Sequence, residues 1–379
     1  MAETAAGAER RVGLVFDPRC LEHRNGEGPV EGPPPPAWLP ERASLVFERP
    51  ERIATALEAL EGAGVARRMV PVAAREASLA ELEYVHDPAY VASLVAAAGG
   101  VVEGARPIPL GHEAWLGPGT WPAALAAVGG LLEAVDAVLG GDVDRALVLA
   151  RPPGHHAPAG AAMGFCLVNA VAVAARHAQR VRGAARIAVV DWDVHHGNGT
   201  EAIFLNDPSV LVVNVHQDGL YPAGSGGLEV RGEGEGAGAN VNVPLPDGCG
   251  DDAYVAAFER VVVPVLRAFG PDMIIVSAGQ DAAAADPLGR MAVTGPGFRA
   301  VADRVVAAAD ELCGGRIVCF SEGGYHLVHN AVGVLAVAEA LLGAEPAIPV
   351  DPIGADVPVG VGAAAEAALA RAVALHVPR

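Results

Sequence analysis

From about residue 145 onward the chain alternates between short apolar runs and stretches of helical periodicity. The runs are Ala146–Ala150, Ile187–Val190, Val210–Val215, Met273–Ser277 and Ile317–Phe320. They are almost wholly apolar, the pattern of a strand covered on both faces. Between them, Leu167 to about Val181, residues 252–268 and residues 297–312 carry helical spacing. Upstream, Glu51–Gly62 places Ile53, Leu57 and Leu60 on one face, and further helices are predicted near 86–98 and 119–139. Short apolar strands separated by helices predict βαβ units around a parallel sheet, an α/β fold. The segment Gly26–Pro40, with four consecutive prolines at 33–36, predicts an extended surface loop. Gly232–Gly238 reads as a loop too; it follows no clear strand and has no lysine to complete a phosphate cradle.

Composition narrows the function. At 52% hydrophobic the chain has ample material for a core, which excludes a disordered protein. All 26 basic residues are Arg, so a Walker A loop, a Schiff-base lysine and a Ser–Lys hydrolase are excluded. A net charge of −19 argues against nucleic-acid binding and is compatible with cationic partners, although read alone it serves solubility. The cysteines (Cys20, Cys166, Cys249, Cys313, Cys319) are scattered and odd in number, so they predict core residues rather than a disulfide framework or a Cys-rich zinc site. No run approaches the roughly 18 uninterrupted apolar residues of a membrane span, and Met1–Arg11 lacks the apolar centre of a secretory signal. A soluble cytoplasmic protein with no membrane partner is the expectation.

The chemistry gathers just after the predicted strands, where ligands bind in open α/β sheets. Four segments qualify: Arg151 to His156, Asp191 to Gly199, Ser277 to Asp281 and Ser321 to Tyr325. Asp191, Asp193 and His195 are two residues apart, so in an extended stretch they project to one side. Oxygen and nitrogen donors in that mix suit a borderline metal such as Zn²⁺, and Asp281 is the natural further ligand. Read singly, Asp281 is equally a helix cap; the joint case favours metal. His155 and His156 can supply a proton acceptor and a proton donor, with Asp191 and Asn198 available to fix each ring's tautomer. Tyr325 follows Gly323-Gly324, where backbone without side chains can approach a substrate.

At these residues the chain resembles the histone deacetylase and acetylpolyamine amidohydrolase superfamily. The resemblance rests on R-P-P-G-H-H-A at 151–157, M-G-F-C-L-V-N at 163–169 and D-W-D-V-H-H-G-N-G-T at 191–200, then D-P-L-G-R-M at 286–291 and E-G-G-Y at 322–325. Glu48-Arg-Pro-Glu-Arg52 adds weaker support, and Asn198 is similar to the class II and bacterial-type branch. The resemblance implies one three-layer α/β/α sandwich with a central, mainly parallel sheet, the arginase–deacetylase fold. The domain is expected over residues 11–345, with 1–10 and 346–379 as terminal extensions. It implies that Asp193, His195 and Asp281 bind one catalytic zinc, with ferrous iron an alternative under anaerobic conditions, and that potassium binds near Asp191. It makes His155 and His156 a tandem pair backed by Asp191 and Asn198, and Tyr325 a hydrogen-bond donor to the substrate carbonyl. Gly164 and Phe165 would line the tunnel for the acyl-lysine stem, with Tyr221 opposite and Glu113 orienting the substrate backbone. Gln280 departs from the pattern, standing where Phe is usual before the metal Asp.

The expected reaction is zinc-dependent hydrolysis of an acetyl or acyl amide. Its substrate would be an acetylated protein, peptide or amine, and acetylpolyamines are the alternative. A homo-oligomer is left open. A two-manganese amidinohydrolase would need further bridging carboxylates, yet the alternate positions beside Asp281 are Gly279 and Ala283. A catalytically silent acyl-lysine binding module would not need the ligands, the histidines and Tyr325 together.

Overall fold

In the computed structural model, residues 10–25, 47–353 and 357–378 are described; the proline-rich segment lies outside them. The elements run β1 (Val12–Phe16), α1 (Glu51–Gly62), β2 (Val70–Pro71), α2 (Leu79–Leu82) and α3 (Pro88–Gly99). A hairpin of β3 (Ile108–Gly111) and β4 (Ala114–Leu116) follows, then α4 (Thr120–Gly140), β5 (Arg145–Leu149), α5 (Ala170–Arg182) and β6 (Ile187–Asp191). Next come α6 (Asn198–Phe204), β7 (Val210–Gln217), β8 (Asn240–Leu245), α7 (Asp251–Ala257), α8 (Val263–Phe269) and β9 (Met273–Ala278). The chain ends with α9 (Gly295–Cys313), β10 (Ile317–Ser321), α10 (Leu327–Leu342) and α11 (Ala363–His376).

Eight strands form one sheet in the order β2-β1-β5-β10-β9-β6-β7-β8, parallel throughout. The apolar runs bury both faces, as their composition predicts. In β6, Ile187 and Val189 join the apolar cluster with α3, α4 and α5, while Ala188 and Val190 join the opposite cluster with α1, α7, α9 and α10. This is the three-layer α/β/α arrangement.

The predicted helix at 252–268 is interrupted. A π-helical turn at Phe258–Val262 separates α7 from α8. Pro264 sits at the start of α8, where its missing N–H breaks the regular i to i−4 ladder. β8 lacked a continuous apolar signal because Asn240 and Asn242 alternate with Val241 and Val243. The valines enter the core, and the asparagines donate to Glu201 of α6 at 2.8 and 2.7 Å. The segment expected as a C-terminal extension contributes α11, whose Ala365, Leu369 and Ala372 are buried against the edge strand β8. Helix α4 is long and apolar enough to cross a membrane, but 72% of its apolar window is buried inside the protein.

Candidate active site

Five adjacent strands, β5, β10, β9, β6 and β7, deliver side chains to one edge of the sheet. His155 and His156 follow β5, Tyr325 follows β10, Asp281 follows β9, Asp193 and His195 follow β6, and Tyr221 follows β7. Parallel strands end on the same side, so residues up to 170 positions apart converge there.

Asp193, His195 and Asp281 are buried, and their ligand atoms lie within 4.8 Å of one another. Nδ1 of His195 is 3.0 Å from Asp193 Oδ1 and 3.2 Å from Asp281 Oδ2. Burial, together with the Asp193 charge, pushes the Asp281 carboxyl up to about 7. Burial opposes charge on His195, but the two carboxylates outweigh it and push it up to about 10. Two buried carboxylates closing on one imidazole nitrogen form a site that demands positive charge, and two oxygens with one nitrogen fit a divalent ion of zinc type. The other carboxylate oxygens are engaged: Val194 N donates to Asp281 Oδ1 at 2.8 Å and Gly323 N to Asp193 Oδ2 at 2.8 Å. Glycine is required beside them. A Cβ at Gly279 would collide with Asp193, and one at Gly323 would collide with Asp281 and Asp193. Among the described residues no other cluster of this kind occurs.

Asp191 projects near these groups but serves a different partner. Its Oδ2 lies 3.0 Å from His155 Nδ1, and Asn198 Oδ1 lies 2.8 Å from His156 Nδ1. The two rings are 4.0 Å apart. Burial disfavours charge on both. For His155, Asp193 and Asp191 more than compensate and raise its pKa well above the usual range. For His156, the neighbouring His155 and His195 add to burial and lower it well below. Asn198 donates its amide to Met163 Sδ at 3.4 Å, which turns its oxygen toward the ring. His156 Nδ1 therefore carries a proton, and Nε2 is free to accept one.

The remaining candidates pack around or beside these groups. Gly164, at φ 53°, presses so close to the His156 ring and Tyr221 that any Cβ would clash. Phe165 packs edge-on to Tyr325 with ring centroids 5.7 Å apart, and Tyr221 packs edge-on to His156 at 4.9 Å. Glu113 sits in the β3–β4 turn, and its carbonyl accepts from Phe165 N at 2.9 Å. Glu113 and Phe165 are the non-glycine residues with left-handed backbone among those described. Such conformations cost energy and cluster where a fold supports a site. Gln280 is buried; its amide donates to Ala278 O at 3.2 Å while Oε1 faces Gly333.

Behind the site is a charged cluster that the sequence reading did not assign. Glu48 lies between Arg52, Arg151 and His23, all four fully or almost fully buried. Arg52 donates to Gly324 O at 2.6 Å and to Glu322 O, and lies 4.7 Å over the Tyr325 ring. Glu322 accepts from Gly154 N at 2.6 Å and His155 N at 3.3 Å. The cluster thus ties the loops of His155 and Tyr325 to α1. Its sequence signal was available: Glu48 and Arg52, like Arg151 and Glu322, sit inside the quoted motifs, yet only contacts between loops reveal their role.

Fold and site together define an α/β protein of the arginase–deacetylase type. The profile of the histone deacetylase domain matches residues 46–341. The chain is 41% identical over 347 residues to the histone deacetylase-like amidohydrolase of Pseudomonas aeruginosa, covering 89% of this chain and 88% of that protein. It is 36% identical over 333 residues to a probable deacetylase of Archaeoglobus fulgidus, covering 86% and 85%. It is 40% identical over 312 residues to the human polyamine deacetylase HDAC10, covering 80% of this chain and 45% of that protein. The crystal structure of the HDA15 HD domain superposes with a TM-score of 0.82 at 34% identity, covering 97% of this chain and 95% of that one. The chain belongs to the histone deacetylase family.

Proposed function

We propose that the protein is a zinc-dependent amidohydrolase that removes acetyl or other acyl groups from lysine side chains or related amines. The observation that carries this reading is the convergence of Asp193, His195 and Asp281 with His155, His156 and Tyr325 on one sheet edge. Zinc held by Asp193, His195 and Asp281 would supply the Lewis acidity that polarises the amide carbonyl and activates water. His156, neutral with its proton turned to Asn198, takes a proton from the attacking water at Nε2 and passes it to the departing amine. His155, held protonated between Asp191 and Asp193, contributes positive charge beside the developing oxyanion. The Tyr325 hydroxyl donates to that oxyanion, a contact worth roughly 3–4 kcal/mol in the transition state. Gly164, Phe165 and Tyr221 hold the neutral acyl-amine stem, and Glu113 orients the substrate at the mouth. Potassium near Asp191 and a cytoplasmic setting belong to the same reading.

Acetylpolyamine hydrolysis is the second reading, favoured by the net charge of −19, which attracts cations, and by the human polyamine deacetylase among the relatives. Rates on acetyl-lysine peptides, acetylputrescine and acetylspermidine, measured with metal content per chain, test both. Turnover of none of them by metal-replete protein would refute the deacetylase reading. Two metal equivalents per chain would redirect it to an amidinohydrolase.

A further inference from the structure

Beyond the segment that matches the histone deacetylase domain, one carboxylate reaches back toward the active site. Asp351 lies past residue 341. Its Oδ2 accepts from Gly295 N, at the head of α9, at 2.9 Å. Its Oδ1 lies 3.0 Å from His329 Nε2 and also accepts from Ile353 N at 2.9 Å. His329 is buried in the first turn of α10. Ala285 N lies 3.2 Å from His329 Nδ1, and a backbone N–H can only donate. Nδ1 is therefore the bare nitrogen, and Nε2 carries the proton that Asp351 receives. A proton on Nδ1 instead would set one N–H against another.

Ala285 adjoins Asp286, whose Oδ2 accepts from Tyr325 N at 2.6 Å and His326 N at 3.1 Å. Its Oδ1 accepts from Leu288 N at 2.9 Å. An unbroken run of contacts leads from Asp351 through the His329 ring and the 285–286 peptide to the backbone of Tyr325. We propose that Asp351, from beyond the matched segment, and His329, within it, are positioning residues that hold the Tyr325 hydroxyl in place. The proposal rests on the deacetylase reading, in which Tyr325 donates to the oxyanion. A donor aimed at charge that appears only in the transition state must be held within about 0.5 Å, so losing a distant support affects turnover more than binding.

Asp351 also caps α9 through Gly295, and the two roles separate chemically. Asp351→Asn keeps an oxygen for His329 but turns an amide N–H toward Gly295 N, so it weakens the cap and spares the link. Asp351→Ala removes both. The test is a cycle of D351A and D351N in the wild-type and Tyr325→Phe backgrounds, measured as kcat and KM on an acetyl-lysine peptide with the metal-loaded enzyme. We expect D351A to lower kcat roughly 10-fold with KM within about twofold, and D351N to restore kcat to within about threefold. In the Y325F background D351A should cost less than about twofold, because the group it supports is gone. Unchanged kcat in D351A, the same loss in both backgrounds, or D351N failing as badly as D351A would overturn the proposal. If D351A does not give folded protein, His329→Phe, which keeps a ring and removes both nitrogens, carries the same expectations. A Y325F enzyme as fast as the wild type would instead sink the underlying mechanism.

Discussion

Gly323 is the floor on which both metal-site carboxylates rest, and adding one methyl there probes the site directly. Its backbone lies outside the left-handed region, so Gly323→Ala introduces no conformational strain and acts through space alone. The new Cβ would lie 2.7 Å from Asp193 Oδ2 and closer still to Asp281 Oδ2. A relaxed carbon–oxygen approach is about 3.3 Å, so Asp193 must retreat by about 0.6 Å and Asp281 by more. Metal–ligand distances tolerate about 0.2 Å. The displacement exceeds this severalfold and affects two of three ligands. Both carboxylates are anchored by backbone N–H groups, which opposes rotation away. We expect G323A to fold with a stability cost of about 1–3 kcal/mol from overpacking, and to hold well under one equivalent of zinc. Gly333→Ala is the control. Its Cβ would meet Gln280 Oε1 and Phe298, not a ligand, so stability should fall while metal is retained. The assays are elemental analysis after dialysis, thermal unfolding with and without added zinc, and turnover. A G323A protein that keeps one tight metal equivalent and deacetylates within about threefold of the wild type would refute the reasoning.

Tyr325→Phe removes one hydroxyl and little volume; we expect turnover to fall on the order of 10²–10³-fold with metal content unchanged, and no loss would show that the oxyanion is held elsewhere. His156→Ala should slow turnover roughly 10²–10⁴-fold while sparing the metal, and near-normal rates in both His155→Ala and His156→Ala would make the pair structural. Glu48→Gln leaves Arg52 and Arg151 buried without their carboxylate, so a loss of about 3–5 kcal/mol is expected in urea unfolding at pH 7. Burial acts to raise the Glu48 pKa, but Arg151 and His23 together outweigh it and hold the carboxyl well below the usual range. Its contribution is therefore complete above the unfolded value of about 4.3 and is lost as pH falls toward the folded one. The variant should show a flatter acid limb than the wild type, and parallel limbs would exclude Glu48 as their source.

Local pattern was sufficient for the α/β class and for the strands that carry the site. A strand buried on both faces must be mainly apolar, so β5, β6, β7, β9 and β10 could be read without neighbours. The grouping of Asp193, His195 and Asp281, and the histidine pair beside it, were legible for a related reason. Ionisable groups placed directly after apolar runs are costly unless a cation or a hydrogen bond answers them. β8 and α11 were not legible, because their burial rests on distant partners: the asparagines of β8 are satisfied by Glu201 and by carbonyls of the 227–230 loop, and α11 packs against β8. Which carboxylate joins the candidate metal cluster and which pairs with a histidine was likewise decided in three dimensions. Asp191, Asp193 and His195 share one spacing along the chain, but only Asp193 and His195 meet Asp281, while Asp191 meets His155. The same holds for Glu48, Arg52 and Arg151, whose charges are unremarkable in sequence and acquire a role only when three separate loops close around them. Sequence sets what each short segment can bury; contacts between segments far apart in the chain decide which buried charges become partners.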